Sequence, residues 1–119
     1  MKKSLLISCA LIASAGTAVA DVIADWNIQA SQTIAAGARR GPSSVLDFPM
    51  VHLAMHDAVQ SFERRFAAYC AVIPNPSGSP VAAASAAAHD VLVGLFPSQA
   101  GTLATAYDTL TTQYMQQGL

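Results

Sequence analysis

Apolar side chains recur every three to four residues in four stretches of the sequence, and prolines and glycines separate these stretches. This period matches the turn of an amphipathic α-helix, which packs one face on a core and exposes the other. No stretch alternates between apolar and polar residues as a half-buried strand does. The pattern predicts an all-α protein of about four amphipathic helices that form part of a larger helical bundle.

The first two predicted helices are separated by Gly41-Pro42-Ser43. The second is predicted from about Phe48 to Ala68, with Asp47 as its cap and Pro49 tolerated in the first turn. The apolar face of the first helix comprises Val22, Ile23, Trp26, Ala30, Thr33, Ile34 and Gly37. The apolar face of the second comprises Val51, Ala54, Met55, Ala58, Val59, Phe62 and Phe66.

The third predicted helix has Ser79 as its cap and Pro80 in its first position, and it continues from Val81 to Phe96 through a tract of alanines. Alanine allows neighbouring helices to approach on several sides, so this helix is expected in the middle of the bundle. The fourth helix is predicted after Ser98. Its apolar stripe comprises Leu103, Ala106, Tyr107, Leu110 and Tyr114.

The N-terminus has the three parts of a secretory signal peptide. Lys2 and Lys3 precede an apolar run from Leu5 to Ala15, and the small residues 18–20 precede Asp21. This order predicts a signal peptide over residues 1–20, cleaved after Ala20, and a helical domain over residues 21–119. The apolar run is shorter than the roughly 20 residues that a membrane span needs. We therefore expect an exported protein, periplasmic or secreted, without a stable membrane anchor.

Removal of the signal changes both the charge and the cysteine content. It leaves 99 residues with four arginines and seven acidic residues, a net charge of −3 with neutral histidines. This balance disfavours a nucleic-acid partner. Cys9 leaves with the signal, so Cys70 remains as a single cysteine. A buried thiol is the expected state of Cys70, and an intermolecular disulfide is the alternative.

Two histidines, His52 and His56, lie one helical turn apart on one face of the second helix. This spacing lets two imidazoles share a metal ion, and His89 on the third helix could add a further ligand. The run lacks the glutamate of a zinc-protease helix, so it has no general base for hydrolysis. The alternative is structural, because both rings flank the apolar stripe and can pack there.

Charged residues that are adjacent in the sequence give weaker indications of a functional site. Asp57 follows His56 and Asp90 follows His89, but adjacent helical side chains point about 100° apart and are not expected to form dyads. The pairs Arg39-Arg40 and Arg64-Arg65 either hold an anion or are solvated at helix ends.

Several of these residues together resemble a known family. They are Asp25-Trp26-Asn27, Met50-Val51-His52-x-Ala54-Met55-x-Asp57-Ala58-Val59, His89-x-Val91-Leu92 and Leu95-Phe96-Pro97. The set resembles the N-terminal helices of bacterial vanadium-dependent haloperoxidase-like proteins, which belong with the type 2 phosphatidic acid phosphatases. The resemblance covers nearly all of residues 21–115, and its motifs are packing motifs. His56 departs from it, since the relatives commonly have a tyrosine there.

The resemblance implies an exported helical-bundle enzyme, either a peroxidase that oxidises halide with hydrogen peroxide or a phosphatase. Its pocket would hold vanadate or phosphate with a lysine, arginines, a histidine and a Ser-Gly-His stretch, all in the C-terminal half. This chain has no lysine after Lys3, and Pro76-Ser77-Gly78-Ser79 has a serine where the histidine would stand. No catalytic or cofactor-binding residue is therefore carried over. Vanadate is implied only for a full-length relative.

Three hypotheses for function follow. The first is a catalytically incomplete N-terminal portion of such an enzyme, and the second is a small metal-binding bundle of the cell envelope that uses His52 and His56. The third is a non-enzymatic helical interaction module. In the first and third, the fourth helix is expected to leave apolar side chains uncovered for missing C-terminal helices, for self-association or for a partner. These side chains are Leu103, Tyr107, Leu110 and Tyr114.

Overall fold

Four α-helices make up the computed structural model, which describes residues 21–39 and 41–119. They are α1 (Val22–Ala36), α2 (Pro42–Glu63), α3 (Pro80–Leu95) and α4 (Ala100–Gln116), and a 3-10 turn (Pro97–Gln99) joins α3 to α4. No strand is present in this part of the chain, so the predicted all-α fold is confirmed. The predicted signal peptide, residues 1–20, lies outside the described residues.

Local side-chain caps start two of the helices. The Asp21 carboxylate accepts hydrogen bonds from the backbone N–H groups of Ile23 (3.0 Å) and Ala24 (3.2 Å) at the start of α1. Ser79 Oγ accepts from the N–H of Ala82 (3.1 Å) at the start of α3. These bonds satisfy donors that have no partner inside a helix. The predicted cap Ser79 is confirmed.

The start of α2 differs from the prediction. The helix begins at Pro42 rather than Phe48, and Asp47 lies inside it instead of capping it. Gly41 has a φ of 72°, which turns the chain, and the fixed φ of Pro42 suits the first helical position. Pro49 is therefore an internal residue of α2, where it has no N–H to donate to the carbonyl of Val45.

The end of α2 also differs. The helix stops at Glu63 rather than Ala68, because Arg64 adopts a left-handed conformation with φ 51°. The Arg64 N–H closes the last turn on the carbonyl of Gln60 at 3.0 Å. Phe66 was predicted on the apolar face of this helix, but it lies beyond the end and is 65% exposed.

The helix α3 contacts each of the other three helices, so its predicted central position is confirmed. Its alanines Ala84 and Ala88 are completely buried, which allows close approach of the neighbouring helices. The buried apolar side chains form one cluster: Trp26, Ala30, Ile34, Val51, Met55, Ala84, Ala88, Leu92, Phe96 and Leu103.

The Trp26 side chain joins α1 to α3 and α4. It is completely buried, and its Nε1–H donates to Ser85 Oγ at 2.8 Å. Its ring lies 6.4 Å, between centroids, from the rings of both His89 and Tyr107. Trp26 thus combines a large apolar contact area with a satisfied buried donor.

The stripe of α4 is covered by its own chain, so the expectation of an uncovered stripe is wrong. Leu103 is completely buried, Tyr114 is 3% exposed, and Tyr107 and Leu110 are partly buried against the core. The hydroxyl of Tyr114 donates to Asp25 Oδ2 of α1 at 3.1 Å. Burial, together with the Asp25 carboxylate, raises the pKa of Tyr114. The end of α4 is therefore tied to the start of α1.

Gly37, just past α1, lies against the ring of Phe96 at the end of α3. A Cβ at residue 37 would be 2.3 Å from Phe96 Cε1. The φ of Gly37 is an ordinary helical −69°, so the constraint on this residue is space and not backbone conformation.

Among the described helices, none alone has the length and apolar character to cross a membrane. The pair formed by Pro80–Leu95 and Pro97–Gln116 meets that test of length and composition, with a bend of 119° at the break.

Replacement of Ser85 by alanine tests the link between Trp26 and α3. The change leaves the buried Nε1–H of Trp26 without an acceptor, so we expect the free energy of unfolding to fall by about 1–3 kcal/mol. Urea unfolding measures the loss. Ser98→Ala, at an exposed position, is the matched control. Equal effects of the two changes would show that the Trp26–Ser85 hydrogen bond contributes nothing.

Candidate functional site

Three buried polar side chains follow one another along the C-terminal half of α2. Asp57, Gln60 and Ser61 are 7%, 6% and 1% exposed, and their spacing of three and four residues puts them on one face of the helix. Buried polar groups of this kind need hydrogen-bond partners. They bind the backbone of the connection between α2 and α3, and we call the three residues the α2 clamp.

The carboxylate of Asp57 accepts three backbone N–H groups. Tyr69 donates to Oδ1 at 2.7 Å, and Cys70 and Ala71 donate to Oδ2 at 2.7 and 3.0 Å. Hydrogen bonds to a carboxylate favour its charged form. The N–H groups of Ala71, Tyr69 and Cys70 hold the pKa of Asp57 below its usual value, against the opposing effect of burial; the nearby His56 adds to the lowering.

The other two clamp residues hold the two ends of the same segment. Gln60 Oε1 accepts from the N–H groups of Arg65 (3.0 Å) and Phe66 (2.8 Å). Ser61 Oγ accepts from the N–H of Ile73 at 2.9 Å and donates to the Asp57 carbonyl at 2.9 Å. The clamp therefore binds backbone donors that a longer helix would have used internally. This explains why α2 ends at Glu63.

The two histidines, which were predicted to share a metal ion, form hydrogen bonds to different parts of the chain. His52 Nε2 lies 3.0 Å from Asn27 Oδ1 on α1. His56 Nε2 lies 3.1 Å from the carbonyl oxygen of Ala67, which can only accept, so His56 carries its proton on Nε2. Both rings line one surface pocket of about 310 Å³, together with Ile23, Met55, Val59 and Gln60. The structure brings the rings to one pocket but points their Nε2 atoms at separate acceptors.

His89 is bonded to its own neighbour. Its Nδ1 lies 2.9 Å from Asp90 Oδ1, so the expectation that these adjacent side chains do not meet is wrong. The pair lies at the surface, where the Asp90 side chain is 79% exposed and can rotate toward the ring. The His89 ring also packs on Tyr107, with 4.9 Å between centroids. For Asp57 the expectation is confirmed, because its carboxylate bonds to the connection and not to His56.

Metal-ligating side chains do not gather elsewhere in the described part of the chain. Within residues 21–39 and 41–119, no group of three or more His, Cys, Asp or Glu side chains could hold a metal ion. The two-histidine site therefore has no third protein ligand there, and it stays a prediction.

Among the described arginines, Arg39 forms an ion pair with a buried carboxylate, and Arg64 and Arg65 form none. Arg39 Nη1 bonds to Asp47 Oδ1 at 2.9 Å, and its guanidinium lies 5.5 Å from the centre of the Phe96 ring. Asp47 is 2% exposed, and its Oδ2 atom is buried without a hydrogen-bond partner. Arg64 and Arg65 are exposed beyond the end of α2. Arg40 lies outside the described residues.

Cys70, the one cysteine among the described residues, is exposed, so its predicted burial is wrong. The backbone N–H of Cys70 is bound by Asp57, which holds the main chain of this segment against α2. Side chains of the segment that do not contact α2 consequently face solvent.

Sequence reasoning considered Asp57 as the neighbour of His56 and as part of the second resemblance motif, and it passed over Gln60 and Ser61. A usable signal was present, since three polar residues at helical spacing precede a stretch rich in proline and glycine. That signal indicates a polar helix face at the end of α2. It does not indicate which backbone groups the face binds.

Comparisons with protein-family models, with curated proteins and with solved structures give no match to this chain. The resemblance to haloperoxidase-like proteins therefore rests on the motif residues alone.

Acidification tests the role of Asp57. Because its folded pKa lies below the unfolded value of about 3.9, its contribution to stability is complete above about pH 5 and is lost as the pH falls from there through the lowered pKa. We expect Asp57→Asn to lower the thermal midpoint at neutral pH and to reduce the further loss between about pH 5 and pH 2. Hydrogen exchange of the Tyr69, Cys70 and Ala71 amides should accelerate in the variant.

Asp90→Asn is the matched control for this experiment, because Asp90 also follows a histidine but is exposed. It should leave both the midpoint and the amide exchange unchanged. Equal acid sensitivity of Asp57→Asn and the unsubstituted protein would contradict the assignment.

Zinc titration tests the two-histidine site. Both imidazoles must leave oxygen acceptors on different segments to share an ion, and the described residues offer no third ligand group. We therefore expect no micromolar binding by calorimetry. Micromolar affinity that His52→Ala and His56→Ala each abolish would overturn this expectation and establish the metal site, whereas loss through His89→Ala alone would place it elsewhere.

Proposed function

We propose that the chain is the N-terminal helical part of an exported enzyme of the haloperoxidase-like and phosphatase-like class, and that it contributes packing rather than catalytic groups. The observation that carries the proposal is where the motif residues lie. Several of the residues that resemble the family also join the helices to one another, among them Trp26, Met55 and Leu92.

Three contacts illustrate this coincidence. Trp26, from the first motif, bonds to Ser85 of α3, and its neighbour Asn27 bonds to His52, from the second motif. Asp57, also from the second motif, binds the connection that leads to α3. Motif residues with such roles are expected in the supporting part of an enzyme.

The N-terminal half of α2 supplies a second argument. Val45, Leu46 and Met50 are 69%, 63% and 49% exposed. Each large apolar side chain left in water forgoes roughly 1.5–3 kcal/mol. Further helices packed against this part of α2 would cover these apolar groups. We call Val45, Leu46 and Met50 the α2 apolar face.

The distribution of cations supports placing the oxyanion pocket in those further helices. Vanadate and phosphate require several converging cationic or N–H donors. Arg39 forms an ion pair with Asp47, and Arg64 and Arg65 lie on an exposed connection. Under this proposal the chain leaves anion binding to a lysine, arginines and a Ser-Gly-His stretch outside it.

The genomic sequence after the codon for Leu119 tests the proposal directly. We expect a reading frame that encodes further helices with a Lys/Arg, Ser-Gly-His and Arg/His series. Co-expression of that segment with residues 21–119 should give vanadate-dependent halide oxidation or phosphatase activity that neither part has alone. A stop codon with no such series downstream would contradict the proposal.

Self-association of the isolated chain gives an independent prediction. We expect concentration-dependent dimers through the α2 apolar face, and Val45→Gln with Leu46→Gln should shift the chain to monomer in analytical ultracentrifugation without changing its circular dichroism spectrum. Met115→Gln, at a side chain that is 66% exposed on α4, is the matched control. A chain that stays monomeric before substitution would refute the role given to this face.

A further inference from the structure

We propose that residues 64–73, which we call the basic–apolar segment, dock on the surface of an anionic lipid bilayer. This inference is independent of the proposed function. It rests on four exposed apolar side chains, two exposed arginines and a backbone whose donors are bound by the α2 clamp.

The four large apolar side chains of the segment are more than half exposed. Phe66 and Tyr69 are 65% and 69% exposed, and Val72 and Ile73 are 51% and 53% exposed. These fractions are high for large apolar groups placed within a few residues of one another. An aromatic pair followed by an aliphatic pair suits the boundary between lipid headgroups and acyl chains.

The charge of the segment has one sign. Arg64 and Arg65 begin it, directly after the exposed Glu63 that ends α2, and no acidic residue occurs between Arg64 and Ser79. The guanidinium of Arg65 lies 5.7 Å from the centre of the Phe66 ring, so a cation and an aromatic face are presented together. Asp57, beneath the segment, directs its carboxylate to three backbone N–H groups of that segment. Arg64 and Arg65 thus make the start of the segment complementary to anionic headgroups, even though the whole protein is acidic.

The backbone of the segment is already satisfied from within the protein. The clamp accepts the N–H groups of Arg65, Phe66, Tyr69, Cys70, Ala71 and Ile73. Entry of an irregular backbone into a lipid interface is costly when its polar groups lose water without gaining partners. Because the clamp already accepts most of the backbone N–H groups of the segment, these groups lose little when water is removed. The segment can therefore enter the interface without refolding.

The size of the segment favours lipid over protein. A stable protein interface uses about 20–30 residues on each side, and this segment has ten. A peripheral lipid contact needs only a few inserted side chains and nearby cations. A surface pocket of about 550 Å³, lined by Arg64, Phe66 and Val72 among others, adds a place where a headgroup would meet a cation and apolar walls.

Cys70 gives a direct probe, because it lies in the segment with an exposed thiol and is the only cysteine after residue 20. The exported, processed protein is labelled there with an environment-sensitive dye and mixed with phosphatidylglycerol–phosphatidylcholine vesicles. We expect a blue shift of the dye emission that saturates with lipid, weakens with added salt and is absent with pure phosphatidylcholine. A Cys70→Ser, Ser98→Cys protein, labelled on the 3-10 turn, should show no shift.

Substitutions then separate the two contributions. Arg64→Gln and Arg65→Gln should each weaken binding about fivefold. Phe66→Ser should weaken it about tenfold. Met115→Gln, which alters an exposed apolar group of α4 outside the segment, should leave vesicle binding unchanged. All four substituted residues are exposed, and circular dichroism spectra should stay those of the unsubstituted protein.

Three results would overturn the proposal. One is the absence of a shift with anionic vesicles, and another is equal binding by the Phe66 and arginine variants and the unsubstituted protein. The third is a shift of the Cys70 dye without lipid as protein concentration rises, which would make the segment a contact between protein molecules. Failure of this experiment leaves the genomic test of the proposed function unaffected.

Discussion

Three backbone N–H groups converge on the carboxylate of Asp57, and the arrangement of the following chain depends on this contact. Together with Gln60 and Ser61, Asp57 accepts backbone N–H groups of the connection between α2 and α3. The connection therefore leaves the helical hydrogen-bond pattern and lies along α2. The chain then reaches Ser79 beside α2, so α3 can start there and pack between the other helices. The same contact leaves the large apolar side chains of residues 64–73 more than half exposed.

The sequence predicted the features that are decided within one helical turn. Ser79 and Pro80 mark the start of α3 because a cap acts on donors only two or three residues away. The number of helices and their apolar faces follow from the 3.6-residue period for the same reason. The ends of α2 were not predicted. Its start depends on whether Pro42 or Phe48 takes the first helical turn, and its end depends on donors twelve to fourteen residues from Asp57 and Ser61.

The candidate site likewise has features that the sequence predicted and features that it did not. The spacing of His52 and His56 correctly put both rings on one side of α2, where they line one pocket. Their bonding was beyond the sequence, because Asn27 and Ala67 approach from two different segments. Coverage of α4 was unpredictable for a related reason. The contact between Tyr114 and Asp25 joins residues that are 89 positions apart and requires the whole bundle to close.

Gly37 shows how a helix end can carry information about tertiary structure. Glycine after a helix usually supplies a left-handed turn, and asparagine is the common substitute there. Gly37 has an ordinary helical φ, and the ring of Phe96 occupies the space that any Cβ would need. The side-chain volume that residue 37 tolerates therefore depends on the distance between the end of α1 and the end of α3. Across natural variants of this chain, an asparagine at that position would have to be accompanied by a smaller residue in place of the phenylalanine.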